Sequence, residues 1–334
     1  MKFLIIRFSS IGDIVLTTPV VRCLKIQLAN AEIHYLIKLQ FKTVIQHNPY
    51  IDKIHLLQHD WHKMIEELKG EKFDCIIDLH HDQKSLRVKK ALKVPALSFN
   101  KLNIEKLIFI KLKWNVMPAL HIIDRLMQTV EPFGVYNDWM GMDYFISPDE
   151  VVQQKDIPTS HNAGYIAIVI GGSYYTKKLP VYKLQELCTQ IKHPIILLGG
   201  KEDRKEGEEI SSIDDIKVYN ACGKFSLNES ADLIRQSKLV ITHDTGLMHI
   251  AAALKKPLIA IWGSTTPSFG MVPYYGKNFL AKRPNPSDNV QLHKLWCRPC
   301  TEIGRHKCPQ GHFKCMKNIS IIEIVQNVNK RLKS

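Results

Sequence analysis

The stretch Leu239–Pro267, LVITHDTGLMHIAAALKKPLIAIWGSTTP, decides how this chain is built. Leu239–Thr242 is a short β-branched run, and His243-Asp244-Thr245-Gly246 reads as a turn. Leu247–Leu254 has helical character, and Lys255-Lys256-Pro257 stops it, with cations where the helix's negative end lies. Leu258–Trp262 is a second buried strand. Strand, turn, helix and strand make the repeating unit of a parallel sheet covered by helices. A strand that feeds a helix through Asp-Thr-Gly leaves backbone N–H groups and a hydroxyl at the helix's positive end, a setting suited to a diphosphate. Plain capping by Asp244 and Thr245 fits the same residues.

Working outward, the same alternation recurs. Tyr165–Ile170 is a strand, followed by the loop Gly171–Pro180, a helix to about Lys192, strands at Pro194–Leu198 and Lys217–Asn220, and a helix at Glu229–Gln236. Before them lies Asp143–Ala163, a polar segment with two prolines and no periodicity, which reads as a linker. At the amino end, Lys2–Arg7 is a continuous apolar strand of the kind buried in a parallel sheet. The loop Phe8–Asp13 follows, then a helix from about Thr17 to Leu28 with Pro19 in its first turn. Further strands are expected at Glu32–Ile37, Lys53–Leu57, Phe73–Leu79 and Val94–Phe99, with helices at Trp61–Lys69 and His121–Phe133. Lys101–Asn115 is amphipathic and carries four lysines. It reads as a surface helix packed on its domain, or as one lying on an anionic membrane surface. The expected division is an amino-terminal α/β domain at 1–155, a second α/β domain at 156–318, and a closing helix at 319–334, with the ligand cleft between the two domains.

Composition narrows the function. The 334 residues carry 46 Lys+Arg against 32 Asp+Glu, a net charge of +14, which calls for an anionic partner. No zinc-finger, RNP or basic-heptad signature accompanies the charge, so nucleic acid is not an expected partner. No apolar run approaches the roughly 18–20 residues of a membrane span. Arg7 and Asp13 interrupt the first apolar run too early for a secretory leader, and the chain reads as cytoplasmic. Eight cysteines in such a chain mean reduced thiols or metal rather than a disulfide framework. Cys297, Cys300, Cys308 and Cys315, with His306 and His312 nearby, contain one C-x2-C pair but lack the tight second pair of a zinc ribbon. Thiols packing an irregular loop are expected there, with a structural metal as the alternative reading, and no catalytic metal or cofactor is expected. Cys23, Cys75, Cys188 and Cys222 fall in strands or helices and read as core.

Three loops fall at the carboxyl ends of expected strands, where open α/β sheets bind ligands: Ser9–Asp13, Gly171–Lys178 and Asp244–His249. The first offers the carboxylate Asp13. The second offers two glycines, the hydroxyls of Ser173 and Thr176, and the cations Lys177 and Lys178. The third offers a helix amino terminus and His249. A diphosphate leaving group needs cations and backbone donors, and an acceptor hydroxyl needs a base. No G-x-G-x-x-G follows the first strand, and both Gly-Lys pairs, Gly200-Lys201 and Gly223-Lys224, lack the Ser or Thr of a P-loop. That argues against a dehydrogenase or a P-loop kinase.

FSSIGDIVLTTPVVRCLK at Phe8–Lys25, GG-x4-KKLP at Gly171–Pro180 and THDTGLMHIAAALKKPLIAIWGSTTP at Thr242–Pro267 together resemble glycosyltransferase family 9, the ADP-heptose:lipopolysaccharide heptosyltransferases. The resemblance spans nearly the whole chain. It implies a GT-B fold, two Rossmann-like domains with parallel sheets facing a central cleft. It also implies inverting, metal-independent transfer of heptose from ADP-heptose to a lipopolysaccharide-core acceptor, lipid A–Kdo or an inner-core sugar. Work at the cytoplasmic face of the inner membrane goes with that acceptor. By position, Asp13 matches the catalytic base, with Ser9, Ser10 and Gly12 shaping its loop. Lys177 falls where the family's K-x-W-P lysine contacts donor phosphates, and Asp244, Thr245, Gly246 and His249 match the donor-binding turn. Two positions depart from the pattern. The K-x-W-P tryptophan is Leu179, and the site of a ribose-binding glutamate reads Asn228 with Glu229 beside it. On the acceptor side, His80, His81 and Asp82, then Lys84, Arg87 and Arg125, are candidate contacts for a phosphorylated or Kdo-bearing acceptor, and a solvated basic face accounts for them equally. A transferase using another nucleotide sugar for a different surface glycan is the alternative within the enzyme class. Outside it stands a non-enzymatic nucleotide- or sugar-binding protein, which would tolerate the loss of Asp13.

Overall fold

A computed structural model describes residues 1–282 and 284–333. The chain divides into two compact units. The first comprises Met1–Leu102, Leu120–Phe145 and Tyr275–Ala281, and the second Asn103–Ala119, Ile146–Tyr274 and Lys282–Ser334. The helix Asn103–Leu112 therefore counts with the second unit, although it follows the strands of the first.

The first unit is built on a five-stranded parallel sheet of order β3-β2-β1-β4-β5. Its strands are β1 (Lys2–Ile6), β2 (Glu32–Ile37), β3 (Lys53–Leu56), β4 (Cys75–Asp78) and β5 (Ala96–Ser98). All four apolar residues of β1 after Lys2 are fully buried, as a central strand covered on both faces requires. Chain direction across the sheet reverses between β1 and β4, which places a topological switch point at their carboxyl ends. The second unit repeats the plan with six strands in the order β11-β10-β9-β6-β7-β8. These are β6 (Ile166–Val169), β7 (Ile195–Leu198), β8 (Val218–Asn220), β9 (Leu239–His243), β10 (Leu258–Trp262) and β11 (Ser287–Gln291). Here the reversal lies between β6 and β9, with Val169 paired to Thr242 at the carboxyl ends. Every residue of β6, β7, β9 and β10 is buried. Each such Ile or Leu contributes about 1.5–3 kcal/mol relative to exposure, so these runs anchor the loops that follow them.

The elements depart from the expected ones in places. A five-residue helix, Ile11–Val15, fills part of the expected loop, and the next helix starts at Thr18. The helix expected to Phe133 ends at Met127, and Gly134, at φ 73°, closes a separate short turn. The expected linker holds three short turns at Pro148–Glu150, Gln154–Asp156 and Thr159–His161. The final helix, Ile321–Lys333, buries Ile321, Ile324 and Val328 in the core of the second unit.

Candidate active site

In the first unit, the chain leaving β1 and the chain leaving β4 meet through Arg7. Its guanidinium donates from Nε to the Ser9 carbonyl at 2.8 Å and from Nη1 to the Leu79 carbonyl at 2.5 Å. Nη2 lies 2.7 Å from Asp13 Oδ1. The other oxygen, Oδ2, accepts from Ser10 N at 3.1 Å and from Ser10 Oγ at 2.8 Å, which closes a capping box around the helix Ile11–Val15. Burial opposes the charge on Asp13, but the Arg7 guanidinium and the Ser10 hydrogen bonds outweigh it and hold the carboxyl at about 2. The carboxylate is therefore ionised at every physiological pH. It keeps 25% of its side-chain surface in solvent.

Asp78, fully buried at the end of β4, organises the neighbouring loop. It accepts from the backbone of His80 and His81 and from Ser85 Oγ, and it pairs with Lys89 at 2.8 Å. The His80 ring stands edge-on to Phe8, with centroids 4.8 Å apart, and its buried Nδ1 has no hydrogen-bond partner. Burial and the Arg7 charge push its pKa down, so the ring is neutral. Three acceptor candidates lie in different settings. Lys84 and Arg87 are exposed on the helix Gln83–Leu92, with Arg87 stacked 4.5 Å over the Trp61 ring. Arg125 is 3% exposed and donates to the Asn100 carbonyl, a use inside the fold.

In the second unit, the loops after β6 and β9 pack on each other. A Cβ on Gly171 would lie 2.6 Å from an Asp203 carboxylate oxygen and 3.1 Å from Gly199 Cα. One on Gly172 would lie 3.3 Å from the Thr245 methyl, a contact tight enough that the neighbour would have to give by a few tenths of an ångström. Lys177 Nζ lies 2.7 Å from Asp244 Oδ2, which also accepts from Thr265 Oγ1 at 2.8 Å. Thr245 occupies the cap position of the helix Gly246–Ala253, yet its side chain makes no capping hydrogen bond. The Thr245 hydroxyl is therefore not the cap of this helix, and it leaves the first-turn N–H groups without an acceptor of its own. His249 is buried within that helix.

The remaining expected contacts separate. Ser173 is exposed on the loop. Thr176 turns inward, its hydroxyl 2.9 Å from Ser264 Oγ and accepting from Arg305 N at 2.8 Å. Lys178 pairs with Asp203 at 2.8 Å and Glu206 at 2.7 Å, and so braces the loop while Lys177 faces Asp244. Leu179, in the tryptophan position, donates its backbone N–H to His243 Nε2 at 3.0 Å. Burial, then the charges of Lys178 and Lys177, bring His243 down to about 3 and keep it neutral. Glu229 is used as the third residue of a capping box with Ser226, and Asn228 donates to Glu150 at 2.8 Å.

The cysteine loop braces the loop after β6. Cys300 N donates to the Ser264 carbonyl, the Tyr174 ring meets His306 at a tilt with centroids 5.3 Å apart, and Tyr175 stacks on Phe313. All eight cysteines are free thiols. Cys297 Sγ lies 3.8 Å from His312 Nε2, and burial pushes the Cys315 thiol up to about 12.

Sequence reading missed Arg7, which looks like the last residue of an apolar strand, and Thr265 and His243, whose roles depend on strand order.

Comparison with known proteins adds the family. The model for "Glycosyltransferase family 9 (heptosyltransferase)" matches residues 61–304, a span that includes the loops after β6 and β9 and begins after Asp13. Lipopolysaccharide heptosyltransferase 1 of Campylobacter coli is 27% identical, over 80% of this chain and 85% of that protein. The family 9 glycosyltransferase structure from Veillonella parvula superposes with a TM-score of 0.76 at 20% identity, covering 99% of this chain and 97% of its own. The ADP-heptose lipopolysaccharide heptosyltransferase II structure from E. coli gives a TM-score of 0.72 at 20% identity, covering 99% and 98%. The two parallel α/β units are those of the GT-B fold. The chain belongs to glycosyltransferase family 9 and is a glycosyltransferase.

Proposed function

We propose that this enzyme transfers heptose from ADP-heptose to a lipopolysaccharide-core acceptor, lipid A–Kdo or an inner-core sugar, with inversion at the anomeric carbon and Asp13 as general base. The carrying observation is the helix Gly246–Ala253, whose amino end lacks a side-chain cap and stands beside Lys177. Its N–H groups and that ammonium suit the charge that develops on a departing diphosphate. The relatives named above as heptosyltransferases support the sugar.

As the acceptor oxygen bonds to the anomeric carbon, the bond from that carbon to the diphosphate breaks and ADP leaves. The hydroxyl proton passes to Asp13. A carboxylate held at about 2 is a weak base toward a free alcohol, so transfer accompanies bond formation, when the hydroxyl turns acidic. Lys177 releases Asp244 to reach the phosphates, and Thr265 retains its hold on that carboxylate.

The acceptor reading places the enzyme on the cytoplasmic face of the inner membrane. No helix among the described residues is long and apolar enough to cross a bilayer. The segment from Asn103 supports surface contact, because Ile104 is 73% and Trp114 68% exposed, with Leu107 and Leu112 also in solvent beside Lys111. Apolar side chains among lysines suit an anionic lipid surface.

The use of Glu229 in a helix cap favours, as a second reading, a transferase of this fold that takes another nucleotide sugar. A panel of nucleotide sugars with one acceptor separates the two: ADP-heptose turned over at least tenfold faster than the others supports the first.

A further inference from the structure

The loop holding Asp13 follows the last residues of β1. Toward the start of the same sheet, β2, β3 and the residue after the helix Trp61–Gly70 bring together His34, His55 and Glu71. One donor atom from each lies within 4.8 Å of the others. His34 Nδ1 is 2.9 Å from His55 Nε2, and the Glu71 carboxylate reaches them with different oxygens, Oε2 3.8 Å from the first and Oε1 3.9 Å from the second. Both imidazoles are buried, and the Phe73 ring stands edge-on to each, with centroids 5.3 and 6.1 Å away.

We propose that His34, His55 and Glu71 form a binding site for a divalent transition-metal ion, zinc by preference. Two imidazoles and a carboxylate are zinc's ligand types. Ligand atoms about 2.0–2.2 Å from a tetrahedral ion lie about 3.3–3.6 Å apart, so the ion requires the two imidazole nitrogens to part by a few tenths of an ångström and one Glu71 oxygen to close in on both. The second nitrogen of His34 is 2.8 Å from Glu32 Oε1. A carboxylate behind a ligating imidazole fixes its tautomer and orientation and strengthens it as a ligand. One proton shared between the imidazoles would satisfy only the His34–His55 pair, whereas one ion engages both nitrogens and the carboxylate. Glu71 also pairs with Lys2, at 3.3 Å, and with Lys53. The ion competes with Lys53, whose side chain is 55% exposed and can turn into water. The consequence is structural: β2, edge strand β3 and the end of the helix Trp61–Gly70 become tied at one point.

The test uses the full chain, stripped of metal and titrated with Zn2+ against a chromophoric chelator. Co2+ is titrated in parallel and followed by absorption. We expect one ion per chain, an affinity at least tenfold weaker in His55→Gln and in Glu71→Gln, and no change in Cys300→Ser. The cobalt complex should lack a thiolate charge-transfer band, and zinc should raise the melting temperature of the wild type and not of His55→Gln. Circular dichroism of the metal-free variants checks folding, and Glu71→Gln, altered at the rim, decides if His55→Gln is unfolded. Folded wild type that binds no zinc overturns the site. So does binding that survives in the His55 and Glu71 variants but is lost in Cys300→Ser with a thiolate band, because the metal then sits on the cysteine loop.

Discussion

The Arg7 guanidinium lies 2.7 Å from the Asp13 carboxylate and reaches the Leu79 carbonyl with its other amino group, so one side chain joins the two strand ends and sets the state of the acid. Replacing it by glutamine should raise the Asp13 pKa from about 2 toward the ordinary 3.8. The acid limb of the kcat/KM profile then moves upward by about one to two pH units. An unmoved limb would mean that Arg7 does not control the base.

The same shift has a consequence for stability. Because the folded value lies below 3.8, the stabilisation is fully present above about pH 4 and fades as the pH falls toward 2. It amounts to at most about 2.5 kcal/mol, at about 1.4 kcal/mol per pH unit over the difference between 3.8 and about 2. Denaturant melts of wild type and Asp13→Asn, taken across that window, should converge at the acid end.

Lys177 and Lys178 are adjacent but have different partners, Asp244 for the first and Asp203 with Glu206 for the second. Lys177→Ala should weaken ADP binding about 10- to 100-fold, the scale of a lost charge-assisted hydrogen bond of about 1.5–3 kcal/mol. Lys178→Ala should instead lower the melting temperature and change ADP affinity less. Calorimetric titration with ADP, alongside thermal melts, tells the two apart.

Gly171→Ala should destabilise the second unit by about 1–3 kcal/mol, because the new methyl meets Asp203 and the backbone of Gly199. A thermal melt equal to wild type would contradict the close packing of the loops after β6 and β7.

The exposed apolar side chains beside Lys111 make a vesicle experiment decisive for membrane contact. Co-sedimentation with anionic vesicles should fall at least tenfold in Leu107→Ser/Trp114→Ser, and in wild type at high salt. Equal binding to neutral vesicles, or no loss in the double variant, would count against this surface.

Much of the architecture was legible because strands buried on both faces must be continuously apolar, as Ile195–Leu198 and Leu258–Trp262 are. The three candidate loops followed from those strands, and strand order then put them at the two reversals. β11 was not legible: its sequence, SDNVQ, belongs to an edge strand with only Ser287 and Val290 buried. The five-residue helix Ile11–Val15 is too short for a periodic signal. Arg7 acquires its role only because β4 lies beside β1, which brings Leu79 within reach. The meeting of His34 with His55, 21 residues apart, depends in the same way on the pairing of β2 with β3. Neither adjacency is written in local sequence.

The most direct measurement of the central claim is ADP release from ADP-heptose with a Kdo–lipid A acceptor, for wild type and Asp13→Ala, with ADP affinity measured on both. The expected result is acceptor-dependent release that falls at least about a hundredfold in the variant, the scale of a lost general base, while ADP affinity stays within about twofold. Release that is equal in the two proteins would contradict the assignment of Asp13 as the base.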